Sequence, residues 1–108
     1  MKVKCGIDLV YIPDLVRIKK SDGSLRKFFH AQEIEGATEE HLAGILAAKE
    51  AFYKCSGEIP HFLDLEIGHD KMGKPFVKNS PQSPTYSTID ISISHEKDYA
   101  VACCVMIL

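Results

Sequence analysis

Residues 47–57, Ala47-Ala48-Lys49-Glu50-Ala51-Phe52-Tyr53-Lys54-Cys55-Ser56-Gly57, place one carboxylate and two ammonium groups on a stretch otherwise rich in alanine. Small side chains let a helix pack closely on a neighbour, so charges there gain little unless something bound uses them. Glu50 and Lys54 lie one helical turn apart and project from the same side. A carboxylate for a divalent metal beside a cation for phosphate oxygens is half of a phosphoryl-transfer site. A solvated (i, i+4) pair is the competing reading of the same two residues.

Outward from this stretch the helix finds both its ends. Thr38 is a good N-cap, and Glu39 and Glu40 fall where the helix dipole favours acids. The helix is predicted to run to about Ser56, with Gly57 in the left-handed C-terminal position. Leu42, Leu46, Lys49 and Tyr53 form one stripe; Ala43, Ala47, Glu50 and Lys54 form the adjacent one. Lys49 points elsewhere than Glu50, and the residues leave open whether it is a surface charge.

The remaining pattern is mostly strand. Val3, Cys5, Ile7 and Leu9 alternate with Lys4, Gly6 and Asp8, a period that predicts a half-buried strand with Asp8 off the core face. Pro13 suits the first turn of a short helix through Leu15, Val16 and Ile18, which Ser21-Asp22-Gly23-Ser24 ends. A second helical piece is expected from Leu25 towards Ile34, closed by Gly36. Leu63, Leu65 and Ile67 alternate as a strand, Asp70 to Pro75 is turn chemistry, and Phe76 to Lys78 returns as the partner strand. After a loop from Asn79 to Ser87, Ile89, Ile91 and Ile93 mark another strand. Tyr99 to Leu108 reads as a strand buried on both faces. Strands grouped after a long helix indicate a single α+β domain over residues 1–108.

Composition narrows the function. A net charge of -2 argues against a dedicated nucleic-acid binder. The charge is uneven, however: Arg17, Lys19, Lys20, Arg26 and Lys27 gather in one segment and suit an acidic partner or a phosphorylated ligand. Cys5, Cys55, Cys103 and Cys104 lack zinc-site spacing, and three of them sit in apolar runs as small core hydrophobes of a reducing compartment. The opening residues hold no signal-peptide apolar segment, and no run approaches the roughly 20 apolar residues of a membrane span. A cytoplasmic protein is the expectation.

Three elements act together: Gly6-Ile7-Asp8-Leu9-Val10, then Ala47 to Lys54, then Ile91-Ser92-Ile93-Ser94-His95-Glu96, with Gly73-Lys74-Pro75 between the last two. In this order they resemble the signature of the 4'-phosphopantetheinyl transferases, in the short form of the holo-acyl-carrier-protein synthases. The resemblance implies one long helix packed on a small, mainly antiparallel sheet, assembled as a homotrimer with active sites at subunit interfaces. It implies transfer of phosphopantetheine from coenzyme A to a serine of an apo-acyl carrier protein of fatty-acid or polyketide synthesis, releasing 3',5'-ADP. Mg2+ is the implied cofactor, with Asp8 and Glu50 as metal ligands. Glu50 would accept the serine proton, directly or through a water, and Lys54 would face the phosphates. Gly57, Gly73, Lys74, Pro75 and His95 are carried over as contacts to coenzyme A. Arg17, Lys20 and Arg26 would dock the carrier protein.

The chain departs from that pattern in places. Tyr11 and Asp14 stand where an acid and then a basic residue usually follow the aspartate, and Ile45 stands where an arginine is often found. His30 replaces a typical threonine before Glu33. A catalytically silent module of the same fold, binding a carrier protein or a nucleotide, is the alternative these departures keep open.

Overall fold

A computed structural model describes residues 1–21 and 23–108; Asp22, one of the predicted helix-ending residues, lies outside them. The elements are laid around helix α3, Glu39–Ser56. Its ends are those the sequence predicts. Thr38 Oγ1 accepts the His41 backbone N–H at 3.1 Å, and Gly57, at φ 79°, donates its N–H to the Tyr53 carbonyl at 2.8 Å. Ala43, Ala47, Ala48 and Ala51 are all 0% exposed, so their small side chains bring α3 close to the strands.

Strands β1 (Val3–Tyr11), β4 (Thr88–Glu96) and β5 (Tyr99–Ile107) form an antiparallel sheet with β5 in the middle, joined to β1 from Val3↔Ile107 to Tyr11↔Tyr99. Strands β2 (Glu66–His69) and β3 (Pro75–Asn79) make a separate antiparallel pair. Its turn is closed by Asp70, whose Oδ1 accepts the backbone N–H of Met72 at 2.8 Å and of Lys74 at 2.9 Å. Helix α1 (Ile12–Lys20) follows β1 directly, with Pro13 in its first turn and Ile12 and Leu15 buried. The α+β reading therefore holds, with two small antiparallel sheets instead of one.

The phase of β1 is opposite to the expected one. Gly6, Asp8 and Val10 face α3, while Ile7 and Leu9 are each 62% exposed. Alternation gives a strand's period but not which face meets the helix, and here the close approach decides. A Cβ on Gly6 would lie 2.2 Å from the Ala51 carbonyl oxygen, so glycine is what lets the strand touch α3. Asp8, on the same face as Gly6, is thus turned towards the helix. The expected double burial of β5 is corrected in the same way. Ala100, Ala102, Cys104 and Met106 are at most 1% exposed, but Val101, Cys103, Val105 and Ile107 are only half-buried on the other face. Cys5 is exposed on that outer face, 3.8 Å from Cys103 between sulfurs, so only Cys55 and Cys104 are core hydrophobes.

Two boundaries also differ. The piece expected from Leu25 to Ile34 splits into a 3-10 turn at Ser24–Lys27 and a short helix α2 at Ala31–Ile34. Phe29, 1% exposed, plugs the core between them. The strand expected from Leu63 begins only at Glu66, because Phe62–Asp64 is a 3-10 turn. The carbonyls of His61 and Phe62 are taken by side chains of α3 and need no strand partner.

Candidate active site

At the C-terminal half of α3, Asp8 from β1 meets Glu50 and Lys54 in one pocket of about 460 Å³, walled by Tyr53, Pro60 and Phe62. Asp8 arrives through the β1 phase and the Gly6 contact; Glu50 and Lys54 arrive through one helical turn. The Lys54 Nζ lies 2.8 Å from Asp8 Oδ1. The other oxygen, Asp8 Oδ2, is buried and has no hydrogen-bond partner. Burial pushes the Glu50 carboxyl up to about 8, helped by the neighbouring Asp8 carboxylate, with Lys54 opposing. Two carboxylates pressed together in a half-buried pocket favour sharing a proton or a cation. The Asp8 hydrogen bond and charge in turn raise the proton affinity of Lys54, keeping it an ammonium.

This arrangement fits a divalent ion that takes oxygen ligands. An orphaned carboxylate oxygen faces a second carboxylate, and a hard cation such as Mg2+ is usually held by one or two carboxylates with substrate phosphates and waters. Among the described residues no group of three or more His, Cys, Asp or Glu is arranged to hold a metal alone. A bound phosphate would therefore complete the coordination.

Lys49 is not a surface charge. It is 0% exposed, and its Nζ donates to Phe28 O at 2.8 Å, Glu33 Oε1 at 2.8 Å and Phe62 O at 3.0 Å. Glu33 completes the arrangement by accepting the backbone N–H of His30 at 2.8 Å and of Ile67 at 3.0 Å. All three ammonium protons and both carboxylate oxygens are satisfied, which is the condition for a tolerable buried pair. Tyr53 adds a 2.6 Å bond from its hydroxyl to the His61 carbonyl. Lys49 and Tyr53 together fix the His61–Phe62 wall across from Glu50. The i, i+3 and i, i+4 spacings of Lys49, Tyr53 and Glu50 were visible in the sequence, but Glu33 as the counter-charge was not.

Most of the other carried-over residues lie away from this pocket. Gly57 lines the Asp8 pocket. His95, Gly73 and Pro75 line a second groove of about 390 Å³ at the opposite end of α3, which shares no residue with the first. Lys74 is not in that groove; its Nζ bonds Asp90 Oδ1 at 2.9 Å and the Ile91 carbonyl at 3.3 Å. Sequence reasoning missed His41 and His69, whose rings sit 4.5 Å apart in the same groove. They come from α3 and β2, and no local pattern links them. Burial lowers the proton affinity of His69, as does the neighbouring His41. His95 Nδ1 is 3.4 Å from Glu40 Oε2. Arg17, Lys20 and Arg26 are exposed on and after α1, with Arg17 paired to Asp14.

Comparison with known proteins agrees with this geometry. The model of the 4'-phosphopantetheinyl transferase superfamily matches residues 4–104. A holo-[acyl-carrier-protein] synthase of Finegoldia magna is 34% identical over 117 aligned positions, covering 100% of this chain and 98% of that protein. One from Bacillus cereus (strain B4264) is 37% identical over 94% of this chain and 92% of its own length. Among solved structures, the synthase from Neisseria meningitidis superposes with a TM-score of 0.85 at 28% identity, covering 97% of this chain and 98% of that one. The Helicobacter pylori synthase in complex with coenzyme A gives 0.84 at 26% identity, over 94% of this chain and 98% of that one. With a carboxylate pair and an ammonium converging where these motifs meet, and the family pattern running through almost all of its length, the chain belongs to the 4'-phosphopantetheinyl transferase superfamily, in the holo-acyl-carrier-protein synthase type.

Proposed function

We propose that this domain, residues 1–108, moves the 4'-phosphopantetheine group of coenzyme A onto a serine of an apo-acyl carrier protein and releases 3',5'-ADP. The observation that carries the reading is the meeting of Asp8, Glu50 and Lys54 in one pocket with a buried carboxylate oxygen left unpaired. In the reaction the serine Oγ forms a bond to the β-phosphorus while the bond from that phosphorus to the bridging oxygen breaks. The electron pair leaves with the nucleotide phosphate. Asp8 and Glu50 would hold Mg2+, which when bound neutralises diphosphate charge and polarises the reacting phosphorus. Glu50 would take the serine proton, directly or through a water. Lys54, 60% exposed, can reach the diphosphate and offset the charge that builds on the leaving oxygen.

The separation of the two grooves supports a homotrimer. Coenzyme A laid with its diphosphate at Asp8 and its nucleotide at His95, Gly73 and Pro75 needs both grooves, which one chain holds at opposite ends of α3. The outer face of the β1–β5–β4 sheet presents Val3, Ile7, Leu9, Tyr11 and Tyr99, each between 42% and 62% exposed, a patch large enough to bury against other copies. Three copies joined there would each lend one groove to a neighbour. The acidic carrier would dock on the exposed Arg17, Lys20 and Arg26. No described helix is long and apolar enough to cross a membrane, and four cysteines free of disulfides suit a reducing cytoplasm as the site of action.

The test is direct. The protein is incubated with coenzyme A, Mg2+ and an apo-carrier protein, and the carrier is weighed by mass spectrometry. Gain of the phosphopantetheine mass, lost in Asp8→Ala and Glu50→Ala, is expected. An unmodified carrier would leave a silent binding module of the same fold.

A further inference from the structure

The two lysines of α3 that approach carboxylates are held in opposite ways. Lys49 is sealed and uses all three of its protons on oxygens. Lys54 has a side chain 60% exposed and its ammonium is tied by a single 2.8 Å ion pair to Asp8. Asp8 itself is only 9% exposed, and its second oxygen has no partner. A buried carboxylate without a counter-charge is costly, so something must neutralise Asp8 when no metal is bound. Lys54 is the group that does it, and it does it incompletely.

Charge arithmetic then points one way. Asp8 and Glu50 together can carry two negative charges, and one ammonium cancels one of them. A divalent cation cancels both, which leaves Lys54 with nothing to neutralise at Asp8. Its stem hangs from the last turn of α3 with room to move, and only the Asp8 end of the pair is enclosed. Glu58, the other acid at the pocket rim, already accepts the Ser83 hydroxyl on Oε2 at 2.8 Å. The free ammonium is then drawn to the nearest bound anion.

We propose that Lys54 is a built-in counter-ion that the divalent cation displaces from Asp8, so that filling the carboxylate pair is what frees this lysine for the diphosphate of coenzyme A. The inference rests on the metal reading of Asp8 and Glu50 and adds a coupling to it. Metal and coenzyme A bind cooperatively through Lys54, and the coupling is reciprocal.

The experiment measures Mn2+ binding by electron paramagnetic resonance for the parent protein and Lys54→Met, with and without coenzyme A. A second arm locates Mn2+ by anomalous scattering in crystals of the parent grown without coenzyme A. Without coenzyme A, Lys54→Met is expected to bind Mn2+ roughly threefold to fivefold more tightly, the size of an ion pair with one exposed partner. With coenzyme A present the advantage should vanish, because the lysine has already moved. The crystal should show Mn2+ between Asp8 and Glu50 with the Lys54 ammonium outside hydrogen-bond distance of Asp8. Equal affinities without coenzyme A overturn the proposal. So does tighter binding with Lys54 still on Asp8 in the Mn2+ crystal, which is plain charge repulsion. Failure of both folded proteins to bind Mn2+, with or without coenzyme A, sinks the metal reading itself.

Discussion

Replacing Gly6 with alanine adds one methyl group at the place where β1 is pressed onto α3. Its φ is not in the left-handed region, so alanine meets no backbone penalty there and any cost comes from space. The new Cβ would sit 2.2 Å from Ala51 O, 2.6 Å from Cys55 N and 3.0 Å from Cys55 Cα. All three are backbone atoms of a helix, and none can rotate aside. Restoring an ordinary contact means moving the strand away by about 1 Å, which forfeits a quarter to a half of the dispersion energy of the atoms that faced each other. With the overpacking strain itself, typically 1–3 kcal/mol, the cost is about 3 kcal/mol. For a chain of this size that lowers Tm by roughly 12–24 °C. Asp8 is two residues along the same face and must move with the strand. A misplacement of about 1 Å can cost on the order of a hundredfold in rate, so transfer should fall even at temperatures where the variant is fully folded. Thermal and urea unfolding at matched concentration give the first number, and carrier modification by mass spectrometry gives the second. A Gly6→Ala protein within about 0.5 kcal/mol of the parent, with unchanged transfer, would show that the strand does not lie against the helix as described.

Three further outcomes are expected. Lys49→Met strands Glu33 in the core without its counter-charge and should cost about 3–5 kcal/mol by urea unfolding, whereas Lys49→Met with Glu33→Leu should recover much of it. For Glu50, raised to about 8 in the folded chain against about 4.3 when unfolded, the folded state keeps a proton that the unfolded state has lost. The Glu50 contribution to stability in chelator is therefore full below about pH 4.3 and is lost as pH rises to about 8, a dependence that Glu50→Gln should flatten in Tm measurements. Ile7→Glu with Leu9→Glu places charges on the uncovered sheet face and should convert the proposed trimer to single chains by sedimentation, with loss of transfer; an unchanged sedimentation coefficient would rule that face out as the contact.

How far the sequence could be read depended on whether a feature is local. The ends of α3 were legible because Thr38 and Gly57 act on backbone groups a few residues away, and the Asp70 turn was legible for the same reason. The site chemistry was legible in part: Glu50 and Lys54 share a turn, and Asp8 lies in a motif that keeps its place in order. The isoleucine alternation of β4 gave its inner face correctly, with Ile91 2% exposed; what failed was the facing of β1 and β5. In β1 both faces carry residues that could be buried, so the alternation of Ile7 and Leu9 pointed at a core that the chain does not contain. The residue that fixes the true phase is Gly6, which has no side chain for a hydrophobicity argument to weigh. Once Gly6 faces α3, Asp8 must face α3 as well, and the apolar Ile7 and Leu9 must face outward. One steric fact therefore brings Asp8 to Glu50 and leaves an apolar face bare. A strand that put Ile7 and Leu9 in its own core would bury its hydrophobes and carry Asp8 to the wrong side of the sheet. In this chain the apolar surface that assembly would cover and the carboxylate pair that coenzyme A would need are two consequences of a single missing methyl group.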